Sequence, residues 1–326
     1  MNYSIIQESF DSLASCWADP NQHLRWNCIF VLPAWLKVWW QEIGAEAEPY
    51  LTSVKQGEMI VGIAPLMVKD RTASFLGSVD ICDCLDFVVT PGMEEDFFRV
   101  LLDDLRQKDI THLNLEPLRP DSTVLTHLIG IARNRGYEVL CHPEDISLEM
   151  DLPSTWEEYL VTLKTKQRHE VRRKLRRLSE AGKVDYRLVE DSTAIPGTMN
   201  TFLEMFTESR EDKATFLTTQ MESFLRSLAG SLAEAGILRL GILELDTLPT
   251  AIIMCFDYNE RMYLYNSGYY PQYSSLSAGL LSKALCIKAS IQEGKKKFDL
   301  LKGDETYKYR LGGKEVPLYR CQIIIK

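Results

Sequence analysis

Apolar and polar positions along the chain switch between two periods, and the same succession of periods occurs twice. Residues 2–6 fit a first strand, and helical spacing follows near 7–17 and 33–44, where Pro33 suits the first turn. Runs with strand character lie at 49–55, 59–68 and 73–77, with Gly57 in the turn between the first two. A helix fits 94–107, a strand 112–116, a helix 121–135, and strands 137–141 and 146–151.

The order then recurs. Ser154 or Thr155 can cap a helix with Glu157 and Glu158 in its first turn, and a basic helical stretch runs on to Ala181, stopped by Gly182. A strand fits 184–189, helices 196–210 and 217–235, and strands 237–245, 249–257 and 261–266. A helix at 275–293, closed by Gly294, leads to a strand at 297–301, a short helix near 304–311 and a last strand at 316–325. Each half thus reads as helices, three strands, then helix, strand, helix, strand, an internal repeat without evident sequence identity. Three antiparallel strands entering a strand–helix–strand crossover predict a mixed sheet in each half. The expected class is α/β, with two tandem domains at 1–150 and 151–326. The boundary is expected near residues 145–155, where the acidic, proline-bearing stretch HPEDISLEMDLPS precedes the basic helix.

Composition narrows the function. The chain has 326 residues, 45% hydrophobic and 25% charged, with a net charge of −9. An acidic balance does not favour DNA or a general anionic surface, so any basic site must be local. The start lacks a basic, apolar leader pattern, and runs such as Ile252–Phe256 are too short to span a bilayer. Eight scattered cysteines suit reduced core thiols in a cytoplasmic protein. Cys82 and Cys84 have no second pair, and His23, His112, His127, His142 and His169 do not cluster, so no metal site is expected.

Four constellations bear on chemistry. In YNSGYYPQYSSLSAGLLSKAL, 265–285, a strand ends near Asn266, and Gly268, Ser274, Ser275, Ser277 and Gly279 lead into a helix. Unpaired N–H groups and small residues there suit a phosphate, although a plain capped helix reads the same way. In LKTKQRHEVRRKLRRL, 163–178, Val171, Leu175 and Leu178 make a narrow apolar stripe flanked by Arg168, Arg172 and Arg176, with Arg173, Lys174 and Arg177 filling the rest. That suits a phosphate-bearing ligand or acidic neighbours in the same chain. Trp35 and Trp39 share a helix face, which favours core packing. In FDLLKGDETYKYRLGG, 298–313, Asp304, Glu305, Tyr307 and Lys308 crowd just past a strand, as a helix start or as acid–base groups beside a cleft.

The second half resembles the GNAT acyltransferase fold. Gly268, Tyr269, Pro271, Tyr273, Ser277 and Gly279, followed by Phe298, Asp299, Gly303, Asp304, Tyr307 and Lys308, resemble the CelD-like, BioF-associated branch. The first half is similar to it through FLGS at 75–78, the acids Asp80, Asp83 and Asp86, and LNLEPL at 113–118. The resemblance implies two tandem GNAT-like domains, a doubling shared with FemABX transferases, with the second domain binding the donor. It implies acetyl-CoA or another acyl-CoA as donor and an amine or sugar of an envelope or polysaccharide precursor as acceptor. Asp304, Glu305, Tyr307 and Lys308 would be catalytic. Asn266, Gly268, Ser274, Ser275, Ser277 and Gly279 would hold the donor. Arg168, Arg172 and Arg173 would hold an acceptor phosphate. One departure is that 274–279 reads SSLSAG where simple GNAT enzymes carry Q/R-x-x-G-x-G/A. The alternatives are a FemABX-type aminoacyl-tRNA-dependent transferase and a non-catalytic binding protein on the same fold.

Overall fold

The structure is a computed structural model that describes residues 2–44 and 46–325. It divides into two units: residues up to Ile146 together with those from Val316 on, and Ser147–Glu315.

The first unit opens with β1 (Tyr3–Gln7), α1 (Phe10–Ala18) and α2 (Pro33–Glu42). β2 (Glu48–Gln56), β3 (Met59–Lys69) and β4 (Thr72–Phe75) follow as an antiparallel meander, and β1 pairs with β2. A short β5 (Val88–Val89) pairs with β3. α3 (Glu94–Gln107) then crosses to β6 (His112–Leu118), which runs parallel to β4. α4 (Ile129–Asn134) and β7 (Glu138–Asp151) complete the repeat. α3 forms because Phe97, Phe98, Leu101, Leu102 and Leu105 fall on one buried stripe. Trp35 and Trp39 are buried in the core.

The second unit begins with α5 (Trp156–Thr162), α6 (Thr165–Ala181) and β8 (Val184–Val189). α7 (Ile195–Ser209), α8 (Glu211–Phe216) and α9 (Thr219–Glu234) lead to the antiparallel strands β9 (Leu238–Leu245), β10 (Leu248–Tyr258) and β11 (Arg261–Tyr269). α10 (Ala278–Gln292) crosses to β12 (Lys297–Lys302), parallel to β11. α11 (Thr306–Arg310) and β13 (Lys314–Ile324) end the chain. The fold is mixed α/β, and both units share the order of three antiparallel strands, helix, parallel strand, helix. α6 buries only Val171 and Leu178, so most of its basic surface faces water. α10 is buried nearly all round, including Ser282, Lys283 and Ser290.

Two expectations differ from what the structure shows. A second domain at 151–326 would keep its last strand. Instead β13 pairs antiparallel with β6, and from Val316 it belongs to the first unit. The boundary, between Ile146 and Ser147, lies within the expected 145–155 and falls inside β7, which pairs with β12 from Ser147 to Asp151. The cysteines are not all reduced. Cys141 and Cys321, 180 positions apart, form a disulfide between β7 and β13, which are neighbours in the first unit. Adjacent strands bring such distant side chains within cross-strand reach. The other six cysteines are free. Among the described residues no helix is long and apolar enough to cross a membrane, and no group of three His, Cys, Asp or Glu could hold a metal ion.

Candidate active site

β11 and β12 pair only over Arg261–Tyr263 with Lys297–Asp299. Beyond that point β11 stays with β10 as far as Tyr269, while β12 stays with β7 as far as Lys302. The register of β10 and β11 slips between Met254 and Cys255, leaving Tyr265 as an extra residue in β11. Such a bulge bends its strand and re-aims its side chains. β12 turns at Leu301, whose φ of +62° is left-handed, and its N–H donates to Asp299 Oδ1 at 2.9 Å. The two parallel strands therefore fork at their carboxyl ends, where backbone groups face a gap instead of a partner strand.

Two lysines reach into the fork. Lys213, from α8, donates to Ser267 O of β11 and lies 4.7 Å from the Phe206 ring. Burial pushes its ammonium down to about 8. Lys308 is buried and donates to Leu301 O at 3.1 Å, to Gly303 O at 3.2 Å and to Lys302 O, with Glu305 Oε2 at 2.8 Å.

A cavity of about 290 Å³ opens at the start of α10. It is lined by Lys174, Tyr269, Ser274, Ser277, Ala278, Gly279, Leu280, Lys283, Tyr307 and Arg310. A 3-10 turn, Pro271–Leu276, delivers Ser277 in a left-handed conformation, and its carbonyl accepts from Leu280 and Leu281. Lys174 Nζ donates to Ser277 Oγ at 3.0 Å. A second cavity of about 280 Å³ shares Lys174, Leu280 and Arg310, and adds Lys166, Gln167, Glu170, Val171 and Leu311. Lys283 is buried, donates to Gly279 O at 2.7 Å and lies 4.9 Å from the Tyr307 ring centroid. Burial first, and the charge of Lys213 second, push its ammonium down to about 7.

The sequence candidates separate on this geometry. Ser274, Ser277, Gly279 and Tyr307 line the cavity. Ser275 and Asp304 are exposed and do not. Asn266 sits on β11 beyond its last pairing with β12. Gly268 answers to packing: a Cβ there would lie 2.5 Å from Phe206 N on α7. Gly279 is packed in the same way, its Cβ position being 2.7 Å from the Tyr269 ring. Arg172 pairs with Glu157 at 2.7 Å and Arg173 with Glu170 at 2.9 Å, and with Arg168 they lie outside both cavities. α6 contributes Lys174 and Lys166 instead. Sequence reading passed over Lys174, Lys213, Lys283 and Arg310. For Lys283 a signal exists: it is a charge inside the otherwise apolar run LLSKALCI, 280–287.

Residues 165–309, from the start of α6 into α11, match the family model of the Acetyltransferase (GNAT) domain. The match takes in every residue that lines the first cavity except Arg310. No curated protein matches the chain. Among solved structures, a crystal structure of FemX superposes with a TM-score of 0.67 at 10% identity, covering 98% of this chain and 96% of that one. A conserved protein of unknown function from Bacteroides thetaiotaomicron gives 0.61 at 11%, covering 99% and 100%. L-PGS from Bacillus licheniformis gives 0.51 at 9%, covering 82% and 81%. At such identities the likeness is one of fold.

The first unit repeats the element order of the GNAT domain with different chemistry. Its crossover helix α3 carries Glu94, Glu95 and Asp96 in the first turn, and Glu94 accepts from Gly92 N–H at 2.8 Å. Carboxylates already occupy the end that an anion would use. Asp86 is likewise engaged, accepting from Thr123 N–H at 2.9 Å and Thr123 Oγ1 at 2.6 Å. Burial nonetheless pushes its carboxyl up to about 7.

Proposed function

We propose that the second unit is an acyltransferase using acetyl-CoA or another acyl-CoA, and that its acceptor is an amine on an amino sugar, a nucleotide-linked sugar or another envelope precursor. The observation that carries this reading is the fork between β11 and β12 opening beside the start of α10. A strand edge without a partner can hydrogen-bond an extended amide chain, and an open helix start suits its phosphates. The cations lining the cavity fit such a group. In the first unit the acids of α3 oppose such a group.

When bound, the donor supplies a thioester carbonyl for attack. The attacking amine must shed a proton, and Asp304 or Glu305, on the turn beyond β12, is the base, directly or through water. Tyr307 faces the cavity and protonates the departing thiolate. Lys308, with its donors engaged by three carbonyls and Glu305, holds the turn that carries both acids.

Calorimetry of the full chain with acetyl-CoA, followed by thiol release over a panel of amino sugars, tests the reading. Binding and acceptor-dependent release are expected, and Tyr307→Phe should lower turnover by about 100-fold or more. Salt-sensitive binding of aminoacyl-tRNA without binding of acetyl-CoA would transfer the reading to a tRNA-dependent transferase.

A further inference from the structure

α6 runs against the charge of its own chain. The net charge is −9, yet Thr165–Ala181 holds seven Lys and Arg against two acids, Glu170 and Glu180. Its narrow apolar stripe is used inside the unit. Val171 and Leu178 are buried, and Leu175 and Leu178 pack with Leu243, Ala251, Ala278 and Leu281. At about 100° per residue, the opposite face carries Lys166, His169, Arg173, Arg176, Arg177 and Glu180, all of them exposed.

Folding gains little from this arrangement. Arg168, Arg172 and Arg176 repeat at i, i+4, as do Arg173 and Arg177, a spacing at which like charges destabilise a helix. The two acids offset part of that: Arg173 pairs with Glu170 at 2.9 Å and Arg176 with Glu180 at 3.6 Å, both at the surface. Lys166 and Arg177 make no ion pair among the described residues. The charge therefore answers to a partner outside the chain.

The ends of α6 narrow the choice of partner. Val161, four residues before its start, is 66% exposed, and Leu248 is 59% exposed. Leu248 follows the turn whose Asp246 accepts from Lys183 N–H at 2.8 Å, just past the far end of the helix. Cations with aliphatic side chains at both ends suit the boundary between lipid headgroups and acyl chains. A nucleic acid is read by amide and aromatic side chains, and the outer face has no Asn, Gln, Phe, Tyr or Trp.

We propose that the outer face of α6 docks on an anionic lipid bilayer, its cations meeting phosphate headgroups and Val161 and Leu248 entering the headgroup region. The inference goes beyond the transferase reading and does not depend on it. Each Lys or Arg at such a surface contributes about fivefold in affinity. At about 0.1 M salt, charges farther off than about 10 Å are screened, so distant acids do not cancel a patch in contact.

The test is flotation of the full chain with phosphatidylcholine vesicles, and with vesicles containing about one-third phosphatidylglycerol. Partitioning onto the anionic vesicles should be stronger by about tenfold or more, and about 1 M salt, where the Debye length is about 3 Å, should release the protein. Arg173→Gln/Arg176→Gln/Arg177→Gln should lower partitioning by about 100-fold, and the corresponding triple lysine variant should retain it within about threefold. Lys69→Gln/Arg99→Gln/Arg133→Gln removes the same charge from exposed positions of the first unit and should change it by less than about threefold. Circular dichroism checks that each variant is folded. Absence of binding to the anionic vesicles, or equal partitioning onto both kinds, overturns the inference, and that measurement needs no variant. Partitioning that survives the triple glutamine variant of α6, or falls equally in the first-unit variant, places the contact elsewhere and also overturns it. Capture by a duplex RNA without binding to the vesicles would give α6 to a nucleic acid and overturn it as well.

Discussion

Replacing Lys308 by methionine keeps the length of the side chain and removes its three N–H donors. Those donors serve Leu301 O at 3.1 Å, Gly303 O at 3.2 Å and Lys302 O, with Glu305 Oε2 at 2.8 Å. They hold a turn in which Leu301 is left-handed, a conformation that costs a non-glycine residue about 1–2 kcal/mol. Hydrogen bonds from a charged donor contribute about 1.5–3 kcal/mol each. Relief of the buried ammonium offsets much of this, and water can replace the donor at half-buried Lys302 and Gly303. Glu305 is 46% exposed, so its pairing adds at most about 1 kcal/mol. Leu301 is buried, and its carbonyl is left without that donor at about 1–3 kcal/mol. The sum is a loss of about 3 kcal/mol, or a fall in Tm of about 6–12 °C for a unit of this size. Urea and thermal unfolding followed by circular dichroism measure it, alongside turnover. A Lys308→Met protein with unchanged Tm and abolished turnover would refute the reasoning and return the ammonium to the reacting groups.

Lys283→Met should act in the opposite sense on stability. The ammonium is held at about 7 in the folded chain, against its ordinary value of 10.5. The unfolded chain therefore binds more protons between those values, and wild-type stability rises with pH across that window. Removing the amine should stabilise the protein at pH 7 by roughly 2–4 kcal/mol, and by less toward pH 10; thermal scans at pH 7 and 9.5 that show the same increment would count against it. On α6, the double replacement Arg172→Ala/Arg173→Ala should change coenzyme A affinity by less than about twofold, since both side chains are exposed and paired. Lys174→Ala, which removes a cavity-lining cation, should weaken it by about five- to tenfold. Calorimetry that finds the reverse order would move the anion site to the outer face of α6.

Much of the architecture was legible because local periodicity encodes it. The apolar stripe of α3, the meanders ending at β4 and β11, and the two crossovers all lie within short windows of sequence. The start of α10 was also legible, from serines and a glycine ahead of an apolar run. The chemistry of individual side chains was much less so. Tyr307 and Lys308 are adjacent in one motif, yet one ring lines the cavity and the neighbouring ammonium is spent on the turn. Successive helical residues point about 100° apart, so adjacency in sequence does not mean a shared site. Gly268 and Gly279 could be read as room for a ligand, whereas the backbone of α7 and the ring of Tyr269 fill that room.

By itself, then, the sequence determined the class of fold and its internal repeat. Those depend on patterns that a strand or helix imposes on residues a few positions apart. Tertiary structure decided that β13 returns to pair with β6, that Cys141 meets Cys321, and that Lys174, Lys283 and Arg310 share one cavity. Each of these depends on residues from 27 to 212 positions apart. Burial and electrostatics at such a point are set by whatever the fold packs around it, and no local pattern carries that information.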